Sequence, residues 1–177
     1  MALPLEPPIK PALARGAKAI PEGDGWLYEP KYDGFRMIVF RDGDDVYLQS
    51  RGGKPMDRYF PEVVEQIRAM AADGVVLDGE VVIEIDGVHE FDLLSQRIHP
   101  AASRVEKLSA EYPAVFHAFD LLAAGGEALL DLPLRERRAR LERLDLAPVL
   151  LTPMVETAAE AARWLEGRSE GAIAKLA

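Results

Sequence analysis

The spacing of Asp-Gly pairs between strand-like runs is what most constrains this chain. WLYEPKYDGFRMIVFR and DVYLQS flank Asp42-Gly43. Asp-Gly between alternating apolar runs favours a hairpin, because glycine accepts the left-handed backbone such turns need. A second hairpin is expected where VVLDGEVVIEI turns at Asp86-Gly87 into VHEF. Between the two, Phe60, Val63, Val64, Ile67 and Met70 recur at helical spacing and stop at Asp73-Gly74. Hairpins with helices between them indicate an α+β domain with antiparallel or mixed β-sheets flanked by helices.

Further along, DLLSQRI reads as a short helix and AVFHAFDLL as a mostly apolar strand. An Ala-Gly-Gly turn then leads to a helix opening at Pro133, a residue suited to a first turn. LAPVLLTP reads as a short strand, and Thr157 with Glu160 forms a capping box for a helix reaching about Glu166. EGAIAKLA reads as a last strand with no turn after it, which suggests a piece of a longer chain. Residues 1–25, rich in Pro, Ala and Gly, read as an extended arm packing on a domain at 26–177.

At 177 residues the length suits one domain, and 49% apolar with 29% charged residues fits a soluble globular protein. There is no cysteine, which excludes disulfides and thiolate metal sites and fits a reducing, cytoplasmic setting. Every stretch of membrane-spanning length carries charge, so no membrane role is expected. A net charge of −9 argues against nucleic acid unless the basic surface is local. LRERRARLERL is rich in arginine, but Glu136 precedes Arg140 by four and Arg138 precedes Glu142 by four. That spacing reads as a solvated, ion-paired helix face. His89, His99 and His117 show no metal-like spacing and are assigned no catalytic role. His117 shares a strand face with Phe119, as a core histidine or a pocket wall.

Lys31, in EPKYDGFR, is either a solvated turn lysine beside a paired Asp33 and Arg36 or a held nucleophile. An ordinary lysine is almost wholly protonated at neutral pH, so a nucleophile needs nearby positive charge or desolvation. Arg36 offers charge or a two-pronged grip on phosphate, and Gly34 permits close approach of a ligand. SRGGK puts Arg51 beside two glycines after a strand, a bend suited to anions. Glu80, inside VLDGEVVI, is a carboxylate among apolar neighbours and wants a core arginine or a ligand hydroxyl. Glu170 and Lys175 in EGAIAK raise the same question, and Phe119 alone reads as a core aromatic.

Taken in order, KYDGFR, SRGGK, LDGE, AFDLL and EGAIAK resemble the successive motifs of the covalent nucleotidyltransferases: DNA ligases, RNA ligases and capping enzymes. The wider wording is most similar to bacterial ATP-dependent DNA ligases of the ligase C and ligase D type. The resemblance spans about residues 8–177 and implies the ATP-grasp-like nucleotidyltransferase fold of a ligase adenylation domain. It implies that Lys31 attacks the α-phosphorus of ATP and holds AMP as a phosphoamide. Glu29 would recognise the adenine amino group, Phe119 would stack on the ring, and Glu80 would bond the ribose hydroxyls. Arg36 and Arg51 would bind ribose and phosphates, then the 5′-phosphate of nicked or broken duplex DNA. Asp33 would help place the metal and the attacking 3′-hydroxyl. Glu170 would bind Mg²⁺ or Mn²⁺, and Lys175 would join the nucleotide site.

The family pattern continues past EGAIAK with a two-lysine motif and an OB-fold domain that binds duplex, and the chain stops before both. The expectation is a monomeric adenylation fragment with an intact purine pocket and an incomplete active site. The rivals are an RNA ligase or capping-type enzyme, and a module that binds nucleotide reversibly.

Overall fold

The structure, a computed structural model, describes residues 2–167 and 171–177. The chain runs through Trp26–Lys31 (β1), Phe35–Asp42 (β2), Asp45–Ser50 (β3), a 3-10 turn at Asp57–Tyr59, Pro61–Ala69 (α1) and Val75–Val82 (β4). Glu84–Ile85 (β5), Val88–His89 (β6), Phe91–Ser95 (α2), Ala102–Glu111 (α3), Val115–Ala124 (β7) and Glu127–Ala128 (β8) follow. Leu134–Glu142 (α4), Leu150–Leu151 (β9), Ala158–Ala161 (α5), Arg163–Glu166 (α6) and Gly171–Leu176 (β10) complete the order.

The main sheet has the order β3-β2-β4-β7-β8, with β9 joining β7 in parallel and the other pairings antiparallel. Period-two alternation sorts β2 between the two faces. Met37 and Val39 join Leu77, Val81 and Phe116 in the larger core, which α1 closes with Val63 and Ile67. Each such side chain contributes about 1.5–3 kcal/mol when fully buried.

The opposite face changes character along the strands. At one end Ile38, Phe40, Val76 and Leu122 form a second apolar cluster, covered by Leu3, Leu5 and Ile9. The buried Gln49 ties that cover down, donating to the Ile9 carbonyl at 2.6 Å and accepting from the Ile9 amide at 2.7 Å. At the other end the same face carries Arg36 opposite Glu80, and Glu80 opposite His117.

The run expected as one strand from Trp26 to Arg41 breaks at Tyr32-Asp33-Gly34. Its first half leaves the main sheet and pairs with β10, placing Glu29 opposite Ile173 and Lys31 opposite Gly171. A Cβ on Gly34 would lie 2.2 Å from the Val81 carbonyl oxygen, so only glycine fits where the chain crosses between sheets. The tip of the β2–β3 hairpin is as expected, with Gly43 at φ 62°. Asp86 and Gly87 take φ 52° and 77°, the paired positive values of a tight hairpin turn, although its strands are two residues each. Thr157 caps α5 by accepting from the Glu160 amide at 3.2 Å. No helix among the described residues is long and apolar enough to cross a membrane.

Candidate active site

Where β1 crosses onto the polar end of the main sheet, the two sheets enclose a cavity of about 990 Å³. Its walls bring together Glu29, Lys31, Asp33, Arg36, Arg51, Glu80 and Phe119, residues drawn from four separate stretches of chain. Lys175 reaches the same place from β10. Glu170 lies outside the described residues.

Phe119 owes its position to a bulge. Asp78 pairs with Asp120 and the next residue, Gly79, pairs with Ala118, which leaves Phe119 without a partner on β4. Such an extra residue re-aims its side chain, and here the ring lines the cavity. A Cβ on Gly79 would sit 2.2 Å from the His117 carbonyl oxygen, so the strands close at the bulge only around glycine. From α4, the buried Arg138 donates to the carbonyls of Phe119 (3.5 Å) and Thr152 (2.5 Å). Its neighbour Arg137 grips Asp120 with two bonds at 2.9 and 3.0 Å. Of the two pairs expected from the spacing along the arginine-rich helix, Arg138 meets Glu142 at 2.8 Å. Arg140 instead lies 3.7 Å from Glu127 on β8 and not beside Glu136, and Arg138 is buried where the spacing indicates a solvated face. Two of the helix's arginines also hold the aromatic platform in place.

Two cations cover the Phe119 ring, the Lys175 ammonium 3.8 Å and the Arg36 guanidinium 4.9 Å from its centroid. Lys175 also bonds Oε1 of Glu29 at 2.5 Å. Glu29 is only 1% exposed, and its other oxygen, Oε2, has no hydrogen-bond partner. Burial raises the Glu29 carboxyl above the usual carboxylate range, against the pull of Lys175. The buried Thr152 hydroxyl, on the same cavity wall, also forms no bond of regular geometry. Burial raises the Tyr32 hydroxyl above its ordinary value, opposed by the nearby Thr152 hydroxyl. Buried polar atoms are normally satisfied, so an unpartnered acceptor in a cavity marks where a donor belongs.

Arg36 is a fixture of this wall. Its Nε and one terminal nitrogen donate to the two oxygens of Asp78 at 2.6 and 2.7 Å, and a third donor reaches the Ala12 carbonyl at 2.9 Å. A guanidinium has five N–H donors, so two remain beyond these three bonds. Burial lifts Asp78 above its ordinary value while Arg36 draws it back. Glu80 is pushed up to about 7 by burial, opposed by Arg36, so near neutrality its carboxyl is divided between protonated and ionised forms. His117 is pushed down to about 4, chiefly by burial, and stays a neutral imidazole in the wall behind Tyr32.

The outer end of the cavity is basic, with the exposed Arg51, Lys54 and Arg58 around it. The Ser50–Lys54 bend is closed by the Ser50 amide donating to the Lys54 carbonyl at 2.9 Å, the Lys54 amide donating to Ser50 Oγ at 3.0 Å and the Gly53 amide donating to the Ser50 carbonyl at 3.0 Å. Among the described residues, no three His, Cys, Asp or Glu side chains cluster as a metal site.

Asp78, Thr152 and Ile173, to which the sequence assigns no role, also shape this site, as does Arg138, which the sequence places only on an ion-paired helix face. Asp78 was visible beside Glu80 as a second carboxylate in an apolar run. Thr152 and Arg138 carry no local signal, because their importance comes from packing against the bulge. Ile173 is one strand pair away from Glu29, a relation set by register alone.

A fold of two sheets closing over a lysine, a buried carboxylate and an aromatic platform defines a nucleotide-handling domain. A mycobacterial DNA ligase D, solved in complex with ATP and MES, superposes with a TM-score of 0.73 at 29% identity, covering 92% of this chain and 52% of that one. DNA ligase C1 of Mycolicibacterium smegmatis is 51% identical across 80% of this chain and 42% of its own length. DNA ligase C of Mycobacterium tuberculosis is 47% identical across 99% of this chain and 51% of its own. The family model described as the ATP dependent DNA ligase domain matches residues 11–176. The chain belongs to that family. It spans about half the length of the curated ligase C relatives it matches.

Proposed function

We propose that this chain is the adenylation domain of an ATP-dependent DNA ligase, in which Lys31 takes AMP from ATP for transfer to a DNA 5′-phosphate. The observation that carries the reading is the half-partnered, buried carboxylate of Glu29 beside the Phe119 ring, in one cavity with Lys31. Adenine presents a donating amino group next to an accepting ring nitrogen. Glu29 Oε2 matches the first and the Lys175 ammonium the second, once the base displaces Lys175 from Phe119. Guanine presents an acceptor followed by a donor, which inverts the match and disfavours it.

With the base on Phe119, Glu80 faces the ribose hydroxyls, and Arg36 and Arg51 face the phosphates. Lys31 Nζ, as the neutral amine, forms a bond to the α-phosphorus and releases one N–H proton to water while the bond from that phosphorus to the β-bridging oxygen breaks. Pyrophosphate departs with the electron pair. A DNA 5′-phosphate oxygen then displaces Lys31 from the phosphorus, and a 3′-hydroxyl, which Asp33 helps place, expels AMP to seal the nick or break. Asp33 and Glu80 bring hard oxygen donors into the cavity. That set fits Mg²⁺ or Mn²⁺ held by phosphate oxygens and one or two carboxylates, Glu170 among them, to neutralise charge on the phosphates. The basic mouth formed by Arg51, Lys54 and Arg58 suits the backbone of duplex DNA. A domain beyond this chain, of the OB-fold type, would complete the grip. A cysteine-free monomer acting on DNA in the cytoplasm completes the reading.

The test is incubation with a divalent ion and ATP labelled at the α-phosphate, followed by a denaturing gel, with Lys31→Ala alongside. Covalent label on the wild type, absent from the variant and competed by ATP rather than GTP, is the expected result. Preference for GTP would indicate a capping-type enzyme. ATP bound without label would reduce the chain to a nucleotide-binding module, and failure to bind ATP would overturn the reading.

A further inference from the structure

The three residues that link the two sheets, Tyr32-Asp33-Gly34, directly follow Lys31, and their conformation sets where the lysine sits. They are held from outside the cavity. Gly34 is wedged against Val81 and Val82 of β4. The Tyr32 ring meets two imidazoles edge-on, His89 and His117, each with centroids 4.9 Å apart. The Asp33 backbone amide donates to His89 Nδ1 at 3.2 Å.

We infer that His89 is a positioning residue for Lys31: its Nδ1 accepts the Asp33 amide and clasps the turn on which the lysine is carried. The inference rests on the reading of Lys31 as nucleophile. His89 does not line the cavity, so it acts through the backbone and not on substrate. It stands on β6, opposite Glu84, at the end of the tight Asp86-Gly87 turn. A hairpin of two-residue strands is too short to be stable for its own sake. Its position makes sense as a bracket that carries one imidazole to the crossing between the sheets. Accepting at Nδ1 fixes the tautomer, with the ring proton on Nε2, and lets a neutral ring serve as both hydrogen-bond partner and edge contact for Tyr32. The turn is then gripped at three successive residues by β4, β6 and β7. A misplacement of an ångström at a nucleophile is enough to slow group transfer severely.

The experiment compares wild type with His89→Ala, His89→Asn and His89→Gln. Asparagine puts its oxygen near the site of Nδ1, whereas glutamine puts it near Nε2. Hydrogen exchange of the Asp33 amide, followed by NMR, should quicken about tenfold in the alanine variant and return towards wild type only with asparagine, the scale of one hydrogen bond. Single-turnover formation of the lysine–AMP adduct should slow by about the same factor in the alanine variant, with ATP affinity unchanged and asparagine restoring the rate. Unchanged Asp33 protection in His89→Ala, or an asparagine variant no better than alanine, would overturn the inference. A wild type that takes no label while its Asp33 amide still answers to residue 89 would remove the proposed reaction and leave the clasp standing.

Discussion

Glu29 and Lys175 are joined by a bond that each needs for a different reason. The carboxylate is 2% exposed at its side chain and the ammonium 23%, so the pair is desolvated mainly on the acid side. Removing the cation strands a buried charge, and Lys175→Met should cost roughly 3 kcal/mol, the low end for breaking a buried pair. Combining it with Glu29→Gln should recover most of that loss, because the charge itself is gone. Thermal unfolding of the four members of the cycle measures the coupling, and a double variant as unstable as Lys175→Met would show that the pair is not its cause. Glu80 makes a pH prediction. Its carboxyl is raised from 4.5 to about 7 by burial, so between those values the folded chain keeps a proton that the unfolded chain has lost. Its favourable contribution is therefore complete below the unfolded value and drains away as pH rises through the folded one, by at most about 3 kcal/mol. Glu80→Gln should gain on wild type steadily from about pH 4.5 to about pH 7 and level off above that. Melting curves that stay parallel across that range would refute it.

At the scale of elements, the β7 bulge organises the site. Gly79→Ala would push a methyl to 2.2 Å from the His117 carbonyl oxygen and 2.5 Å from the Phe116 ring, against groups that cannot swing aside. The variant should lose about 3 kcal/mol of stability and with it the placement of Phe119. Circular dichroism melting and ATP titration would read both, and a variant that melts like wild type would mean the ladder yields more easily than its packing suggests. The sequence disclosed elements marked by period and turn chemistry: α1, the two hairpin tips, and α4 behind Pro133. It was silent where tertiary pairing decides. Ala102–Glu111 escaped notice because only Val105 and Leu108 are buried and Ala101 supplies no cap. The split between β1 and β2 was hidden because both halves are apolar, and only their partners, β10 and β4, differ. Most of the candidate site lay in legible motifs, whereas Thr152, Arg138 and His89 are defined by what they touch.

Across the whole molecule, the first residues belong to the fold. Leu3, Leu5 and Ile9 cover the second apolar cluster, and the Ala12 carbonyl holds Arg36. A chain beginning at Ala12 would expose Ile38, Phe40 and Leu122 and should lose about 3 kcal/mol, roughly one for each partly buried aliphatic side chain. It should also bind a hydrophobic dye that the full chain does not. An unchanged melting temperature would mean the sheet face tolerates water.

The pairing of β1 with β10 joins segments from nearly opposite ends of the chain. A ribosome releasing this polypeptide can let the five antiparallel strands of the main sheet assemble while synthesis continues, because β2 to β8 are all made early. The strand that bears Lys31 must wait, without its partner, until Gly171–Leu176 has emerged. Closing so long a loop comes late. A nascent chain would thus have a folded main sheet before it has a closed cavity, because the wall that β1 and β10 supply forms only once synthesis has passed β10.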